Sequence, residues 1–530
     1  MDVDAPATSS ATQPFRRIQV GDSSPYDLDQ VATTWQGRSK ITRLLFVAQS
    51  SPSLAGPALS LALSTIQLVT LDTDLYQTAF HLYRQHVGAI EAGTEKDPRA
   101  VAWWDAVRAD RAGGAQGSGE VQLDRAWIES ARREAQSGKD KLEVELKGYQ
   151  TNLIKESIRM GYRDLARFQY KCGDLQDAVK SYTKSREFCT TSQHVLDMCL
   201  GVIEIALDMS NYAFVRNYVI KAESAVDAAA QAASGSKPKA AAVNLPGMVA
   251  PQQDPLEAAK ERDRRIVQER LTVAGGVAHL GSGAFEKAAR AFTDVGSEAI
   301  NAGVNHFIPA PDIALYAVLT SLACFDRSQL RTRVLENANL RPYLDLEPYL
   351  REIVRAFFDS KFKLGLELLA KHEHRLSLDV HLAPHVATLQ RAIRQRALLA
   401  YFQPYGAVSL ARMAAAFGVS DPAALEGEVV DLIASGQGPL KARIDSVEGV
   451  LVERRRDRRG EAFRKALQEG EQVQKRATAS QLRMKLLQAE IVVKGSRSGG
   501  GGGGGAAGPA QVAQGRPAVS MQAGPGPLGS

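Results

Sequence analysis

The chain has 530 residues, enough for two or more cores, and its 44% hydrophobic and 23% charged fractions are ordinary for a soluble globular protein. With 65 Lys and Arg against 59 Asp and Glu the formal charge is +6, too balanced to imply a nucleic-acid partner by itself. The cysteines (Cys172, Cys189, Cys199, Cys324) are sparse, form no C-x-x-C pair and suit a reducing compartment.

Residues 1–25 are polar and rich in Pro, Ser and Thr, and are expected to be disordered. Their start, MDVDAPATSSATQPF, has no basic n-region and no apolar h-region, so no secretory signal is expected. From Leu44 to Leu71 no residue is charged. A membrane span needs about 20 predominantly apolar residues. Here Gln49, Ser50-Ser51-Pro52 and Pro57 interrupt the run, which predicts a pair of short buried helices instead. Over 26–385, Leu, Ala and charged residues recur at helical spacing, predicting a mostly α helical-repeat arm. RAGGAQGSGE (111–120) and the Ala/Pro-rich stretch 229–255 read as flexible insertions within it.

In GYRDLARFQYKCGDLQDAVKSYTKS, residues Tyr162, Leu165, Ala166, Gly173, Ala178 and Tyr182 fall in the order of a tetratricopeptide-like helix–turn–helix unit. Ala166 and Ala178 let two helices approach, and Gly173 allows the turn. Tyr162, Leu165 and Tyr182 are expected to fill the groove between neighbouring hairpins. Gly276, Gly283, Ala288 and Phe292 repeat the offsets of Ala166, Gly173, Ala178 and Tyr182. Weaker copies place Asn211 and Ser360 near turns. Together they predict a solenoid, with Cys172 a packed or turn-adjacent thiol rather than a nucleophile.

Residues 386–456 read as a winged helix. VSLARMAAAFGVSDPAALEGEVVDLIASGQ gives helix, Gly-containing turn and a helix that Asp421–Pro422 can start. A hairpin follows: one strand through Leu440, Ala442 and Ile444, a turn at Ser446–Gly449, and a return through Val450 to Val452. The second helix carries Asp421, Glu426, Glu428 and Asp431 with no Lys or Arg, which argues against a DNA groove. The basic run ERRRDRRGEAFRK (453–465) is interrupted by acids and reads as a solvated or protein-facing surface. Residues 457–494 predict a long helix with two apolar patches, Phe463 with Leu467 and Leu482 with Leu486. Residues 495–530 are glycine-rich, offer no core and lack the Gly-Lys-Ser/Thr of a phosphate loop, and so read as a disordered tail.

His372, His374, His381 and His385 lie close together, but Leu376 stands where H-E-x-x-H would need histidine; His381 and His385 could share a helical face, yet no carboxylate or cysteine completes a site with them. There is no G-x-S-x-G either. No catalytic, cofactor or metal site is predicted.

A helical-repeat arm running into a winged helix is the order found in the PCI-domain family, whose members build the proteasome lid, the signalosome and initiation factor three. Residues 146–209 strongly resemble the branch shared by the signalosome and the Rpn-seven type of lid subunit. YDLDQVATTWQGRSKITRLLFVA (26–48), with Gly37, Arg38, Arg43, Leu44, Leu45, Phe46 and Ala48, is similar to the signalosome side and not to the lid side. SLARMAAAFGVS and KARIDSVEGVL agree, whereas Gly438–Pro439, the insertion after Ala225 and the tail depart from the pattern.

The resemblance implies a non-catalytic scaffold in a complex that removes the ubiquitin-like modifier Nedd-eight from cullin–RING ubiquitin ligases. The zinc isopeptidase would sit on a separate subunit, reached through a bundle of C-terminal helices. Other PCI-domain subunits would pair edge to edge through winged helices, and cullin–RING ligases would be met indirectly. It implies no cofactor, no nucleic acid, no membrane, and a place in nucleus and cytoplasm. Candidate contact residues are Gly37, Arg38, Arg43, Leu440, Ile444, Phe463, Leu467, Leu482 and Leu486. The alternatives are a proteasome-lid subunit or a winged-helix nucleic-acid binder.

Overall fold

The computed structural model describes Ile18 and residues 26–112, 123–235, 255–300, 308–434, 442–453 and 458–489. It divides at Arg454 into two units, Met1–Arg454 and Arg455–Ser530. The first unit opens with α1 (Leu28–Thr34), α2 (Gly37–Ser50), α3 (Pro52–Val69), α4 (Thr73–Glu91) and α5 (Pro98–Ala112). Asp27 caps α1 by accepting from the Asp29 amide, and Asp72 caps α4 by accepting from Leu75. Ile18, inside the stretch expected to be disordered, donates its N–H to the Ser50 carbonyl at 2.8 Å and packs against the cluster that includes Tyr26, Leu28 and Val47.

The charge-free run becomes the end of α2 and the whole of α3, broken at Ser51–Pro52. α3 is not short: it passes through Pro57 for 18 residues. Pro57 removes one helical hydrogen bond, and packing offsets that loss, because Leu54, Ala58, Leu59, Ala62 and Ile66 are buried. α3 is also long and apolar enough to cross a membrane, but 50% of it lies inside the protein. It is a core helix.

The repeat arm follows as α6 (Arg125–Thr151), α7 (Lys155–Cys172), α8 (Leu175–Ser185), α9 (Ser192–Asp208), α10 (Tyr212–Gly235), α11 (Pro255–Gly281), α12 (Phe285–Thr293) and α13 (Ala310–Cys324). Next come α14 (Arg327–Gln329), a π-helical turn at Leu330–Leu335, α15 (Arg341–Leu346), α16 (Pro348–Phe358), α17 (Phe362–Lys371), α18 (Glu373–Ser377) and α19 (Val386–Phe402). Parts of the expected insertions are helical, since α5 runs to Ala112 and α10 to Gly235. Their remainder, like residues 495–530, lies outside the described residues.

The winged part is β1 (Ala407–Ser409), α20 (Leu410–Phe417), α21 (Pro422–Ala434), β2 (Ala442–Asp445) and β3 (Val450–Glu453). The expected hairpin is there, with Ile444 opposite Leu451, but the sheet has three antiparallel strands in the order β1-β3-β2. β3 is central and Leu451 fully buried. One core runs from Ala166 to Leu451, across the boundary that sequence placed at 385/386. The second unit holds α22 (Arg458–Gln488), a single 31-residue helix.

Candidate functional site

The hairpin turns share one backbone device. Gly173, Ser210, Gly283 and Ser360 have φ of 99°, 54°, 75° and 61°, all left-handed. In each turn this residue donates its N–H three residues back, and the next residue donates five back: Asp174 to Gln169, Asn211 to Ala206, Ala284 to His279, Lys361 to Ala356. That is the Schellman closure of a helix C-terminus. Asn211, expected near the turn, directly follows Ser210, which takes the left-handed position.

Seven residues before each turn stand Ala166, Ile203, Gly276 and Ile353; five after stand Ala178, Val215, Ala288 and Gly365; nine after stand Tyr182, Val219, Phe292 and Leu369. All are buried. Small residues are needed where rings lie close: a Cβ on Gly276 would come within 2.8 Å of the Phe292 ring. Tyr182 and Phe292 belong to the main core, but Leu165 and the half-buried Tyr162 form a separate cluster with Leu146, Ile158 and Phe188 on the α6 side. Leu153, between α6 and α7, also has a left-handed φ of 55° and is 80% exposed. No sequence signal marks it, because a leucine is not expected there.

Of the candidate contact residues of the N-terminal stretch, Arg43 and Arg38 turn inward, whereas Gly37 is exposed. Arg43 is 3% exposed, and its guanidinium lies over Trp35. It makes a short ion pair with Asp312 of α13 and a second, at 3.3 Å, with Asp379. Arg375 completes Asp312 at 2.6 Å. Asp379 also accepts from the Tyr316 hydroxyl (2.8 Å) and from the backbone of His381 and Leu382 (2.9 and 3.0 Å). Burial pushes the Asp379 carboxyl up, but Arg43, His381 and Arg375 together outweigh it and hold the group below its ordinary range.

Arg38 is similarly engaged, 2.7 Å from Asp72 and 3.4 Å from the Tyr170 carbonyl. The Leu71 amide donates to the Lys171 carbonyl at 3.0 Å. A Cβ on Gly173 would meet Asp72 Oδ2 at 2.2 Å, so this glycine serves the turn and also receives the N-terminal helices. Gly37, at φ 62°, starts α2. These residues tie the chain to itself and offer no outward surface for Arg43.

Beneath Arg38, Tyr170 donates a short hydrogen bond to Asp208. Burial, then the neighbouring Asp208, push the Glu204 carboxyl up to about 7. The histidines have separate partners. His372 stacks on Tyr349 at 3.9 Å, His385 meets Phe285 edge-on, and His381 hydrogen-bonds Tyr212 through Nδ1 at 3.1 Å. Burial pushes His381 down to about 4. Among the described residues no three His, Cys, Asp or Glu side chains group as metal ligands would. Burial pushes the Cys172 thiol up to about 11, away from nucleophile chemistry.

In the winged part, Leu425, Val429 and Leu432 of α21 face the core, and Glu428 pairs with Arg394 of α19 at 2.8 Å. Ile444 is half-buried against that core, and Leu440 lies outside the described residues. β1 and β2 are the sheet's outer strands. On α22, Phe463, Leu467 and Leu482 are 66%, 55% and 61% exposed, and Leu486 is half-buried. At 3.6 residues per turn the two patches do not share a face: the second lies roughly 100° around from the first.

Two family models match the chain: 26S proteasome subunit RPN7 over residues 124–333 and PCI domain over residues 369–455. COP9 signalosome complex subunit 1 of Arabidopsis thaliana is 35% identical over 92% of this chain and 96% of its own length. Subunit 1b of Drosophila melanogaster is 33% identical over 94% and 92%. The 26S proteasome non-ATPase regulatory subunit 6 of Caenorhabditis elegans is 24% identical over 76% and 90%.

Proposed function

Since the chain belongs to the family of COP9 signalosome complex subunit 1, we propose that it is a non-catalytic scaffold of that complex. It supports removal of Nedd-eight from cullin–RING ligases by a zinc isopeptidase on another subunit, in nucleus and cytoplasm. The observation that carries this reading is the similarity over 96% of the Arabidopsis relative's length. It is supported by the use of the chain's conspicuous polar groups, Arg43, Asp312, Asp379 and His381, in packing rather than in an open pocket.

In this reading the outer strands β1 and β2 offer unpaired backbone groups to neighbouring PCI-domain subunits. Ile444 backs the β2 edge from the core side. α22, with Phe463, Leu467, Leu482 and Leu486, enters the helical bundle that reaches the isopeptidase. The nucleic-acid alternative is disfavoured by the acids of α21, and salt-dependent DNA binding by the full chain would revive it.

The test is a tagged pull-down from the native cell, with mass spectrometry of the partners and an assay of Nedd-eight removal from a modified cullin. Stoichiometric signalosome chains with chelator-sensitive activity are expected. Proteasome lid and ATPase chains without that activity would move the protein to the lid side of its family.

A further inference from the structure

Three positions around the α6–α7 turn each lower stability with no compensating contact inside the chain. Leu153 holds a φ of 55°, where the other hairpin turns put Gly173, Ser210, Gly283 or Ser360. That conformation strains any residue with a Cβ and is otherwise taken mostly by Gly and Asn. Ile154 is the N-cap of α7 and makes no side-chain cap bond, at a position where Ser, Thr, Asp or Asn would satisfy an orphan amide. Gly148, in the last turn of α6, loosens the helix relative to alanine, yet a Cβ there would meet nothing within 4 Å. Gly138 on the same helix differs: its Cβ would come 2.3 Å from the Phe168 ring. Leu153 and Ile154 are 80% and 51% exposed. Val144, 67% exposed, shares with Gly148 and Thr151 the face of α6 opposite Leu142, Leu146 and Tyr149, which pack towards α7.

Backbone strain held for a side chain that stays in solvent points to use of that side chain outside its own chain. The charges nearby describe what would meet it. Lys155 follows Ile154 at the start of α7, and Lys141 and Lys147 lie about 60° to either side of Val144 on α6; all three are exposed. Glu156 is held by Arg159 at 2.5 Å, Asp140 lies four residues before Val144, and Glu143 and Glu145 lie about 100° to either side of it. A membrane surface fits poorly, because two apolar side chains at one turn bury little area and those acids would face anionic lipid. A second copy fits poorly too. The groove between α17 and α19, floored by Leu366, Leu369 and Leu398, sets Arg391 and Arg394 against Glu373, Glu428 and Asp431 and offers the lysines no net attraction. A knob-in-groove contact between copies would also chain on without closing. We propose that Leu153 and Ile154 form a knob that enters an apolar pocket of a different protein chain, edged by Asp and Glu that meet Lys141, Lys147 and Lys155. Gly148 leaves room for that chain to come close.

The test uses the full chain, tagged, in its native cell, with the photoreactive p-benzoylphenylalanine in place of the adjacent, exposed Asn152. After purification and irradiation, mass spectrometry should map the adduct to one other chain, at an apolar site with Asp or Glu beside it. In the L153G/I154S background the adduct should fall at least tenfold, and with G148A at least threefold. L153G/I154S should meanwhile melt at the same or a higher temperature than the original chain, since glycine suits the turn and serine caps α7. No adduct, an adduct undiminished by L153G/I154S, or an adduct with a second copy of this chain would overturn the proposal. So would a lower melting temperature of L153G/I154S, which would show that the pair serves the fold. Binding of the full chain to phosphatidylserine–phosphatidylcholine vesicles that L153G/I154S abolishes would overturn it as well. Recovery of proteasome-lid chains would remove the signalosome reading alone, and the same variants decide the knob in either case.

Discussion

Replacing Arg43 by methionine should release the N-terminal helices while leaving the repeat arm folded. Arg43 and its two carboxylate partners are 4%, 0% and 0% exposed at their side chains. Removing one member of such a buried pair costs about 3–5 kcal/mol, because the partner keeps an uncompensated charge. Here the lower end applies. Asp312 keeps Arg375, and Asp379 keeps the Tyr316 hydroxyl and two backbone amides. The loss should act locally, since among the described residues the apolar clusters of α1–α5 include little of the arm beyond Leu378 and the start of α6. About 3 kcal/mol corresponds to roughly a hundredfold more frequent opening. Hydrogen exchange should show α2 amides exchanging faster by that factor while α9 and α12 amides keep their protection. Arg43→Lys, with its charge kept but the planar fork lost, should fall between. Exchange in α2 unchanged within about threefold of the original chain would refute the reasoning.

Gly173→Ala should cost about 2–4 kcal/mol, combining a left-handed φ with loss of the Asp72 helix cap. Gly283→Ala, with open space around its Cβ, should cost about 1–2 kcal/mol; equal melting temperatures for the two variants would disprove the double role of Gly173. Leu451→Ala, at the centre of the small sheet, should cost about 2–5 kcal/mol and Ile444→Ala clearly less, a ranking that denaturant midpoints can reverse or uphold. Glu204 has a folded pKa of about 7, above its unfolded value of about 4.3. Between these values the folded state holds the extra proton, so stability falls as pH rises through that window, by an amount on the order of 3–4 kcal/mol. Glu204→Gln should flatten this slope and stabilise the protein at pH 8; an unchanged melting curve across pH 5 to 8 would count against the burial of that carboxyl.

The repeat was legible where its physics is local. A glycine at the turn and small residues at fixed offsets mark Gly173 and Gly283 without any knowledge of contacts. At the turn near Asn211 the left-handed residue is Ser210, which sequence does not single out because asparagine is the commoner left-handed residue, and Leu153 escapes notice because its conformation contradicts its type. β1 has three residues, too few to show alternation. Pro57 suggested a break because the packing that holds α3 together comes from other helices. Arg38 and Arg43 stood out as a pattern, but their partners Asp72, Asp312 and Asp379 are scattered along the chain, and nothing in the sequence alone brings them together.

The Schellman turns give the arm two unlike rims. After α7, α9, α11 and α16 the chain reverses within a left-handed residue whose geometry admits no slack. The links that carry it from one hairpin to the next, α8 to α9, α10 to α11 and α12 to α13, fall at the opposite ends of the same helices. The described ends that flank the long Ala/Pro-rich segment, Gly235 of α10 and Pro255 of α11, fall on that second rim. One rim therefore sets the pitch of the stack and the other can grow. For engineering, a fluorescent protein or affinity tag spliced into 236–254 should ride on the arm without changing how its hairpins stack, whereas the same graft at residue 173 or 283 would unpick them. Over evolutionary time, lineages can add new sequence at one rim while the scaffold keeps its span.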